Sequence, residues 1–260
     1  MTHIYALVNQ KGGVGKTTTA INIAAYLAAS GKRVLLVDLD SQANATSCLG
    51  IDKQTVEDGT YTVLTDETAN LHENTLHSSR LKITLLPGSP ALAGAEIELV
   101  DLPGRENRLR DALLRTQKYD YILIDCPPSL GLLTLNGLVA AQAVIIPVQC
   151  EYLALEGLGQ LMDTIERVRR TLNPTLSIRG LLMTMLEARA NLGRQVIEEV
   201  RRYFPDQVFE TIVPRNIRLA EAPSHGLPIL AYDPRSTGAH AYLGVAREIL
   251  AGDDLQAAAT

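Results

Sequence analysis

The residues best suited to chemistry lie in one glycine-rich stretch near the start of the chain, at residues 10–18. After Gln10 it consists of Lys11, Gly12, Gly13, Val14, Gly15, Lys16, Thr17 and Thr18. Glycines let the backbone turn its N–H groups toward an anion, and a helix that begins at the end of the loop adds positive potential. Lys16 is placed to reach the β- and γ-phosphates of a nucleotide, and the Thr17 hydroxyl to ligate Mg²⁺. The stretch therefore predicts a site for a nucleoside triphosphate.

Three aspartates follow apolar runs and could serve the metal ion and the water that such a site needs. Asp38 and Asp40 come after one continuous apolar run, and Asp125 ends another. Ligands of open α/β sheets bind outside the carboxyl ends of the strands, so these carboxylates are expected beside the glycine loop. Asp125 is predicted to hold Mg²⁺, directly or through water, opposite Thr17. Asp38 and Asp40 suggest two roles, toward the metal shell and toward the attacking water, although two capping aspartates would show the same pattern.

Hydrophobic patterning predicts the elements that position these groups. Continuous apolar runs at residues 4–8, 34–37 and 121–124 are typical of strands that are covered on both faces. A helix at residues 17–29 joins the first two runs in a right-handed βαβ unit with parallel strands. Further strands are predicted at 81–86, 143–148, 178–185 and 207–213, and further helices at 92–99, 105–116, 191–203 and 238–250, with another ending near 172.

These elements predict an α/β fold, in which a single domain has a mostly parallel twisted sheet with helices on both faces, as in P-loop NTPases. Residues 1–252 are assigned to this domain and residues 253–260 to a flexible C-terminal tail. The length of 260 residues and the hydrophobic content of 46% suffice for one packed core.

Composition excludes several classes of protein. No secretion signal precedes the first strand, and the longest apolar stretch, at residues 138–148, is shorter than the ~20 residues that span a bilayer. We therefore expect a cytoplasmic protein that does not enter the membrane. Cys48, Cys126 and Cys150 include no Cys-x-x-Cys pair, so neither a disulfide framework nor a four-thiolate metal site is predicted. The formal charge of −5 leaves any DNA binding to a local basic patch.

Four separately placed motifs resemble the ParA/MinD ATPases, and the likeness to the ParA/Soj branch covers nearly the whole chain. The loop has a second lysine, Lys11, and Gln10 where the ordinary pattern begins with glycine, which resembles the family's deviant Walker A loop. Residues 38–46 resemble its switch I, with Ser41 in place of proline and Ala43 in place of glycine. Residues 125–129 resemble its switch II, and residues 214–224 its Pro-Arg-Asn-x-Arg-Leu-x-Glu-Ala-Pro-Ser segment.

The resemblance implies ATP and Mg²⁺ as cofactors and gives the site residues their roles. Lys11, Lys16 and Asp40 are the implied catalytic residues: Lys11 reaches across a dimer to the partner's phosphates, and Asp40 positions the hydrolytic water. Asp38 is implied in the outer shell of the metal.

The same resemblance suggests contacts with the base and with DNA. Pro214 and Asn216 are expected beside the adenine, although Asn216 could equally cap a helix. Arg189 and Arg218 lie where the resemblance suggests a DNA surface, and ordinary solvated arginines are the alternative. The implied cycle is a homodimer formed with ATP, non-specific binding of double-stranded DNA, and hydrolysis accelerated by a ParB-type centromere-binding partner. The implied role is chromosome or plasmid partition by a cytoplasmic, nucleoid-associated protein.

Three other functions share parts of this pattern. A MinD-like ATPase positioned on a membrane uses a basic amphipathic C-terminal helix, whereas this chain ends with Asp253, Asp254 and small residues. An iron–sulfur carrier or nitrogenase-like reductase needs clustered cysteines, which are not present. A dinucleotide-binding oxidoreductase has no use for Lys16-Thr17, and its Gly-x-Gly-x-x-Gly pattern fails at Thr18.

Overall fold

The computed structural model describes residues 2–116, 118–151, 154–187 and 191–259, in which a seven-stranded sheet forms the centre. The strands are β1 (His3–Leu7), β2 (Val34–Asp38), β3 (Leu76–Ser78), β4 (Ile83–Leu86), β5 (Tyr121–Asp125), β6 (Ala143–Gln149) and β7 (Ser177–Thr184). Their order across the sheet is β3-β4-β2-β5-β1-β6-β7, and all neighbours are parallel except the antiparallel pair β3 and β4. The predicted α/β fold with a mostly parallel sheet is confirmed.

Helices cover both faces of the sheet. They are α1 (Lys16–Ala29), α2 (Asn44–Cys48), α3 (Thr60–Thr65), α4 (Leu92–Glu98), α5 (Arg108–Leu114), α6 (Leu132–Ala140), α7 (Ala154–Thr171), α8 (Asn191–Tyr203), α9 (Ile217–Glu221), α10 (Ile229–Tyr232) and α11 (Thr237–Ala259). Strand side chains alternate between two core clusters because successive residues of a strand point to opposite faces. Tyr5 and Leu7 pack with α1 and α11, whereas Ala6 and Val8 pack with α4 to α8.

Strand order and register bring the predicted site residues together. Strand β5 lies between β1 and β2, with Leu7 and Asp38 both paired in register with Asp125. The loop that follows β1 and the two strand-end aspartates therefore meet at one edge of the sheet. All five residues of β2 and of β5 are buried, as their continuous apolar runs predict.

The predicted strand at residues 207–213 is wrong, because only isolated bridges form there, at Val208 and Pro214. The backbone N–H groups of Glu210 and Thr211 donate to the carboxylate of Glu248 in α11, at 2.9 and 2.8 Å. Glu248 thus accepts two bonds in the middle of the segment, and the remaining backbone bonds to β7, such as those from Phe209 to Leu181 and from Val213 to Met183, do not form a continuous ladder. The short edge strand β3, which the sequence did not predict, has mainly exposed side chains and so carries little hydrophobic pattern.

The last helix differs from its predicted end. We expect a helix at residues 238–250 and a tail from 253, whereas α11 continues to Ala259. Asp253 is buried and accepts hydrogen bonds from the hydroxyls of Tyr5 (2.6 Å) and Tyr121 (2.9 Å) and from Nε of Arg179 (3.2 Å). These contacts fasten the helix to the amino ends of three strands, which explains why it does not end at Leu250. Within the described parts of the chain, no helix is both long and apolar enough to span a bilayer.

Candidate nucleotide-binding site

The glycine loop is a tight turn between β1 and α1. Gly13 and Gly15 have φ angles of 76° and 92°, in the left-handed region that disfavours residues with a side chain. Lys16 opens α1, is 7% exposed, and donates from Nζ to the carbonyl of Lys11 at 3.2 Å. Burial lowers the pKa of the Lys16 ammonium, and the nearby Asp125 carboxylate acts in the opposite direction. The loop therefore places a poorly solvated cation at the amino end of a helix, where an anion stabilises it.

Two residues outside the sequence-predicted set hold this loop to the sheet. Asn9 accepts a hydrogen bond from the backbone N–H of Lys11 at 3.0 Å and donates to the carbonyl of Pro147 in β6 at 2.7 Å. The Thr184 hydroxyl, at the end of β7, donates to the carbonyl of Val14 at 2.9 Å. Asn9 follows the first apolar run directly, so its position beside the loop is the one signal in the sequence that could have indicated this role.

Asp125 ends β5 as a buried carboxylate at the edge of the sheet. It is fully buried, and neither of its oxygens has a hydrogen-bond partner among the described residues. Burial raises its pKa well above the usual value, and the charge of Asp38 adds to the shift, while the nearby Thr17 hydroxyl and Lys16 ammonium oppose it. An unpaired buried carboxylate costs free energy that a cation would recover. These orphaned oxygens fit Mg²⁺, as the strand-end position predicts.

Asp38 is also fully buried, but its oxygens are occupied. Oδ2 accepts from the backbone N–H of Thr46 at 2.8 Å and from its hydroxyl at 2.7 Å, and Oδ1 from the N–H of Asp40 at 3.3 Å. Burial raises the pKa of Asp38 to about 6, with the Thr46 hydrogen bonds opposing the shift. The carboxylate thereby holds α2 against β2. This geometry suits an outer-shell position better than direct coordination, since its lone pairs already accept protein hydrogen bonds.

Asp40 begins the turn that leads into α2. It is 8% exposed, and its Oδ1 accepts from the N–H of Gln42 at 2.9 Å. Its carbonyl accepts from the N–H of Ala43 at 2.8 Å, and Ala43 has a φ of 49°. The left-handed backbone explains why glycine suits this position and why alanine is strained there. The turn leaves the second carboxylate oxygen of Asp40 without a hydrogen bond from the described residues, which leaves it able to orient a water.

Lys11 lies at the rim of the site in an ion pair within the chain. Its Nζ is 3.2 Å from Oε2 of Glu151, with side-chain exposures of 36% and 47%. Glu151 also lies 3.8 Å from the guanidinium of Arg215, which in turn pairs with Glu187 at 2.9 Å. The sequence does not predict this pair, because 140 residues separate its members. In the single chain the ammonium of Lys11 is therefore held by a carboxylate of the same chain.

A cavity of about 190 Å³ beside the loop contains both residues predicted at the base. Its wall includes Gly15, Met185, Pro214 and Asn216. The amide of Asn216 caps α9: Oδ1 accepts from the N–H of Leu219 at 3.3 Å, and Nδ2 donates to the Thr237 hydroxyl at 2.7 Å. The capping use, which the sequence left open, is thus the one formed here. Met185 also lines the cavity, with a φ of 55°, and the sequence does not predict it there because it belongs to no motif.

The two arginines predicted at a DNA surface have different outcomes. Arg218 lies in α9, with its side chain 54% exposed, and pairs with Glu221 at 2.8 Å and with Asp233 at 3.5 Å. These carboxylates offset its charge in the single chain. Arg189 lies outside the described residues.

Comparison with known proteins agrees with this geometry. A family model described as an AAA domain matches residues 2–178. The Bacillus subtilis (strain 168) sporulation initiation inhibitor protein Soj is 57% identical over 252 residues, which cover 96% of this chain and 99% of that protein. The chromosome partitioning protein ParA of Myxococcus xanthus (strain DK1622) is 54% identical over 252 residues, which cover 96% of this chain and 88% of the relative.

A solved structure shows the same fold with ligands. It is a crystal structure of a Mycobacterium smegmatis protein named cobyrinic acid a,c-diamide synthase, with a bound ATP analogue and magnesium. It is 39% identical, with a TM-score of 0.85, and the match covers 96% of this chain and 95% of that one.

Proposed function

Since the chain belongs to the ParA/Soj family of partition ATPases, we propose that its ATPase cycle couples dimerisation to DNA binding and to a ParB-type partner. In this cycle ATP closes a homodimer, the dimer binds double-stranded DNA without sequence preference, and the partner accelerates hydrolysis. The role is chromosome or plasmid partition at the nucleoid. The observation that carries the chemistry is the proximity of the buried Lys16 of a glycine loop to the buried Asp125, whose oxygens have no hydrogen-bond partner among the described residues.

The negative charge of the nucleotide's phosphates complements the positive potential of the glycine loop. Backbone N–H groups of residues 12–16 and the Lys16 ammonium would receive the β- and γ-phosphates. Thr17 and Asp125 would hold Mg²⁺, with Asp38 in its outer shell, and the ion would offset negative charge on the phosphates. Bound phosphate also compensates Lys16 for its lost hydration, so the loop gains electrostatic stabilisation when it is filled.

Hydrolysis requires a water in line with the γ-phosphate, and Asp40 is the proposed residue that orients it. Its backbone is fixed by the turn to Ala43, and the turn is joined to Asp38 through the Asp40 N–H. The metal shell and the water-orienting carboxylate thus belong to one hydrogen-bonded unit.

Dimerisation gives Lys11 its role. In the proposed closed dimer each Lys11 contributes positive charge to the phosphates bound by the partner, which favours the transition state of phosphoryl transfer. For this to happen, the ion pair between Lys11 and Glu151 must break, and the Lys11 ammonium must then contact the nucleotide that the partner binds. Closure and catalytic competence are then one event.

DNA binding is proposed to use Arg189 and Arg218, of which the structure describes only Arg218. Since Arg218 is paired with Glu221 and Asp233 in the single chain, binding to phosphates requires it to leave or share these carboxylates. A MinD-like membrane role is less consistent with the structure, because α11 is anchored to the sheet through Asp253.

The deciding experiment measures retention of the protein on random-sequence duplex DNA with ATP, with ADP and without nucleotide. Retention is expected only with ATP, and the logarithm of the binding constant should fall linearly with the logarithm of the salt concentration, at a slope of about −0.9 for each phosphate neutralised. Equal weak retention in all three conditions would refute the partition cycle. Hydrolysis measured in parallel separates loss of DNA binding from loss of the ATPase itself.

A further inference from the structure

A wide basic cavity lies at the amino ends of strands β2 and β4, at the edge of the sheet opposite the phosphate loop. Its volume is about 660 Å³, which lies within the ~300–1,000 Å³ of typical small-molecule sites. Lys32, Arg33, Lys82 and Lys118 contribute to its wall. We call it the amino-end cavity. None of its lining residues belongs to the four motifs that resemble the ParA/MinD ATPases.

Lysines are concentrated in the amino-end cavity. The chain has six: Lys11 and Lys16 belong to the phosphate loop, Lys53 lies elsewhere, and Lys32, Lys82 and Lys118 all line this one cavity. No aspartate or glutamate is part of the described wall. Within the described residues, none of these three lysines has a carboxylate oxygen within the 4.0 Å of an ion pair. Clustered like charges in a concave surface raise the local concentration of anions.

The carboxylate of Asp120, next to the lining residue Tyr119, is already neutralised. Asp120 accepts three hydrogen bonds from Arg33: Nη2 donates to Oδ1 at 2.7 Å, and Nε and the backbone N–H donate to Oδ2 at 3.2 and 2.8 Å. These bonds lower the pKa of Asp120 to about 2, with a smaller effect from Lys32. The charges of Arg33 and Asp120 therefore cancel, and the positive charges of the three lysines remain uncompensated by that carboxylate.

The carboxyl end of α1 also faces this region and carries partial negative charge. Its last carbonyls are partly capped, since Gly31 and Lys32 donate their N–H groups to the carbonyls of Ala28 and Leu27 at 3.0 and 3.1 Å. A helix end amounts to roughly half an elementary charge. The surplus from three ammonium groups is larger, so the cavity stays positive.

The remaining wall adds hydrogen-bonding groups to the lysines. Ala28, Ala29 and Val34 supply a small apolar floor, and Thr84 supplies a hydroxyl that lies 3.2 Å from Nδ1 of His77. Lysine ammonium groups recognise phosphate oxygens as point charges, and hydroxyls add hydrogen bonds.

We propose that the amino-end cavity is a second anion site, which binds a small compound carrying two or more linked phosphate groups. Lys32, Lys82 and Lys118 bind the phosphates, and Thr84 and His77 contribute hydrogen bonds. The site is separate from the ATP site, because the length of strands β2 and β4 lies between the two.

The first test uses the full chain with its ATP site filled by Mg-ADP, at constant free magnesium and ~150 mM salt, with sodium tripolyphosphate as the probe. Lysine acetylation is followed by mass spectrometry. Protection is expected at Lys32, Lys82 and Lys118 and not at Lys53, the internal reference. Equal protection at Lys53 would show general counter-ion binding and overturn the proposal. Protection by a short DNA duplex but not by tripolyphosphate would also overturn it, in favour of a nucleic-acid surface.

The second test removes the charge. Titration calorimetry compares the unsubstituted chain with a triple variant, Lys32→Gln, Lys82→Gln and Lys118→Gln, which should lose at least about tenfold in tripolyphosphate affinity. The matched control, Lys53→Gln, Arg167→Gln and Arg247→Gln, removes the same charge elsewhere and should bind as the unsubstituted chain does. Equal losses in the two triple variants would contradict a specific site. Unchanged Mg-ADP affinity in the triple variant shows that its fold is intact.

Discussion

Replacing Glu151 with glutamine should strengthen the ATP-dependent dimer. In the single chain, Glu151 holds the Lys11 ammonium at 3.2 Å, and the proposed dimer requires that this pair break in both copies. Half-exposed ion pairs contribute roughly 0.2–1 kcal/mol each, because water and salt screen them. Two pairs then oppose closure by about 0.4–2 kcal/mol, so Glu151→Gln should lower the dimer dissociation constant by about 2- to 30-fold.

The assay is sedimentation velocity with ATP over a range of protein concentrations. It is run in an Asp40→Ala background, in which hydrolysis should not dissipate the dimer. Glu187→Gln is the matched control, because Glu187 pairs with Arg215 but lacks an ion pair with Lys11. The control should leave the dissociation constant within about twofold of the parent, as expected for removal of one screened surface pair.

Two results would refute this reasoning. A weaker dimer in Glu151→Gln would mean that Glu151 stabilises the closed state, so that Lys11 need not leave it. Equal strengthening by Glu151→Gln and Glu187→Gln would mean that reduced negative charge, and not release of Lys11, drives association. Combining Glu151→Gln with Lys11→Ala supplies a further check, since the gain should disappear when the lysine is absent.

Three further perturbations test the carboxylates. Asp125→Asn should abolish the increase in melting temperature that Mg²⁺ adds to ATP, and an unchanged increase would exclude Asp125 as a ligand. Thr46→Val should lower the free energy of unfolding by about 1–3 kcal/mol in urea titrations, because the buried Thr46 hydroxyl donates to Asp38 and accepts from the N–H of Gly88, and both bonds are lost. Burial raises the pKa of Asp38 to about 6, so between pH ~4 and 6 the folded chain holds a proton there that the unfolded chain releases, and the nucleotide-free chain should lose stability as the pH rises through this range. The pKa of Asp125 is also raised by burial and adds to the decline, so Asp38→Asn should make the decline smaller without abolishing it.

Local motifs in the sequence predict the phosphate loop well, since its chemistry depends on adjacent residues. Gly13 and Gly15 need their left-handed backbone whatever the rest of the chain does, and Lys16 follows them directly. The strand-end position of Asp125 is similarly local, because a continuous apolar run places the next residue at the edge of the sheet. These features require only that the first, second and fifth strands be parallel neighbours.

Contacts between distant segments were not predictable in the same way. Lys11 pairs with Glu151, and Glu248 accepts hydrogen bonds from two backbone N–H groups. Both contacts depend on the tertiary structure, which brings together segments that are far apart in the sequence. Composition alone predicts that Asp253 is a solvated residue of a C-terminal tail. Its burial depends on tyrosines in β1 and β5, which read as ordinary strand residues in the sequence.

The anchor at Asp253 has a consequence for how the protein is made. Tyr5 and Tyr121 are synthesised long before the carboxylate that binds them, and so is Arg179. While the chain is still emerging from the ribosome, these buried polar groups have no acceptor at their final position. The amino ends of β1, β5 and β7 therefore reach their native environment only after residue 253 has been translated, so early release of the nascent chain would leave the sheet open on the side of α11.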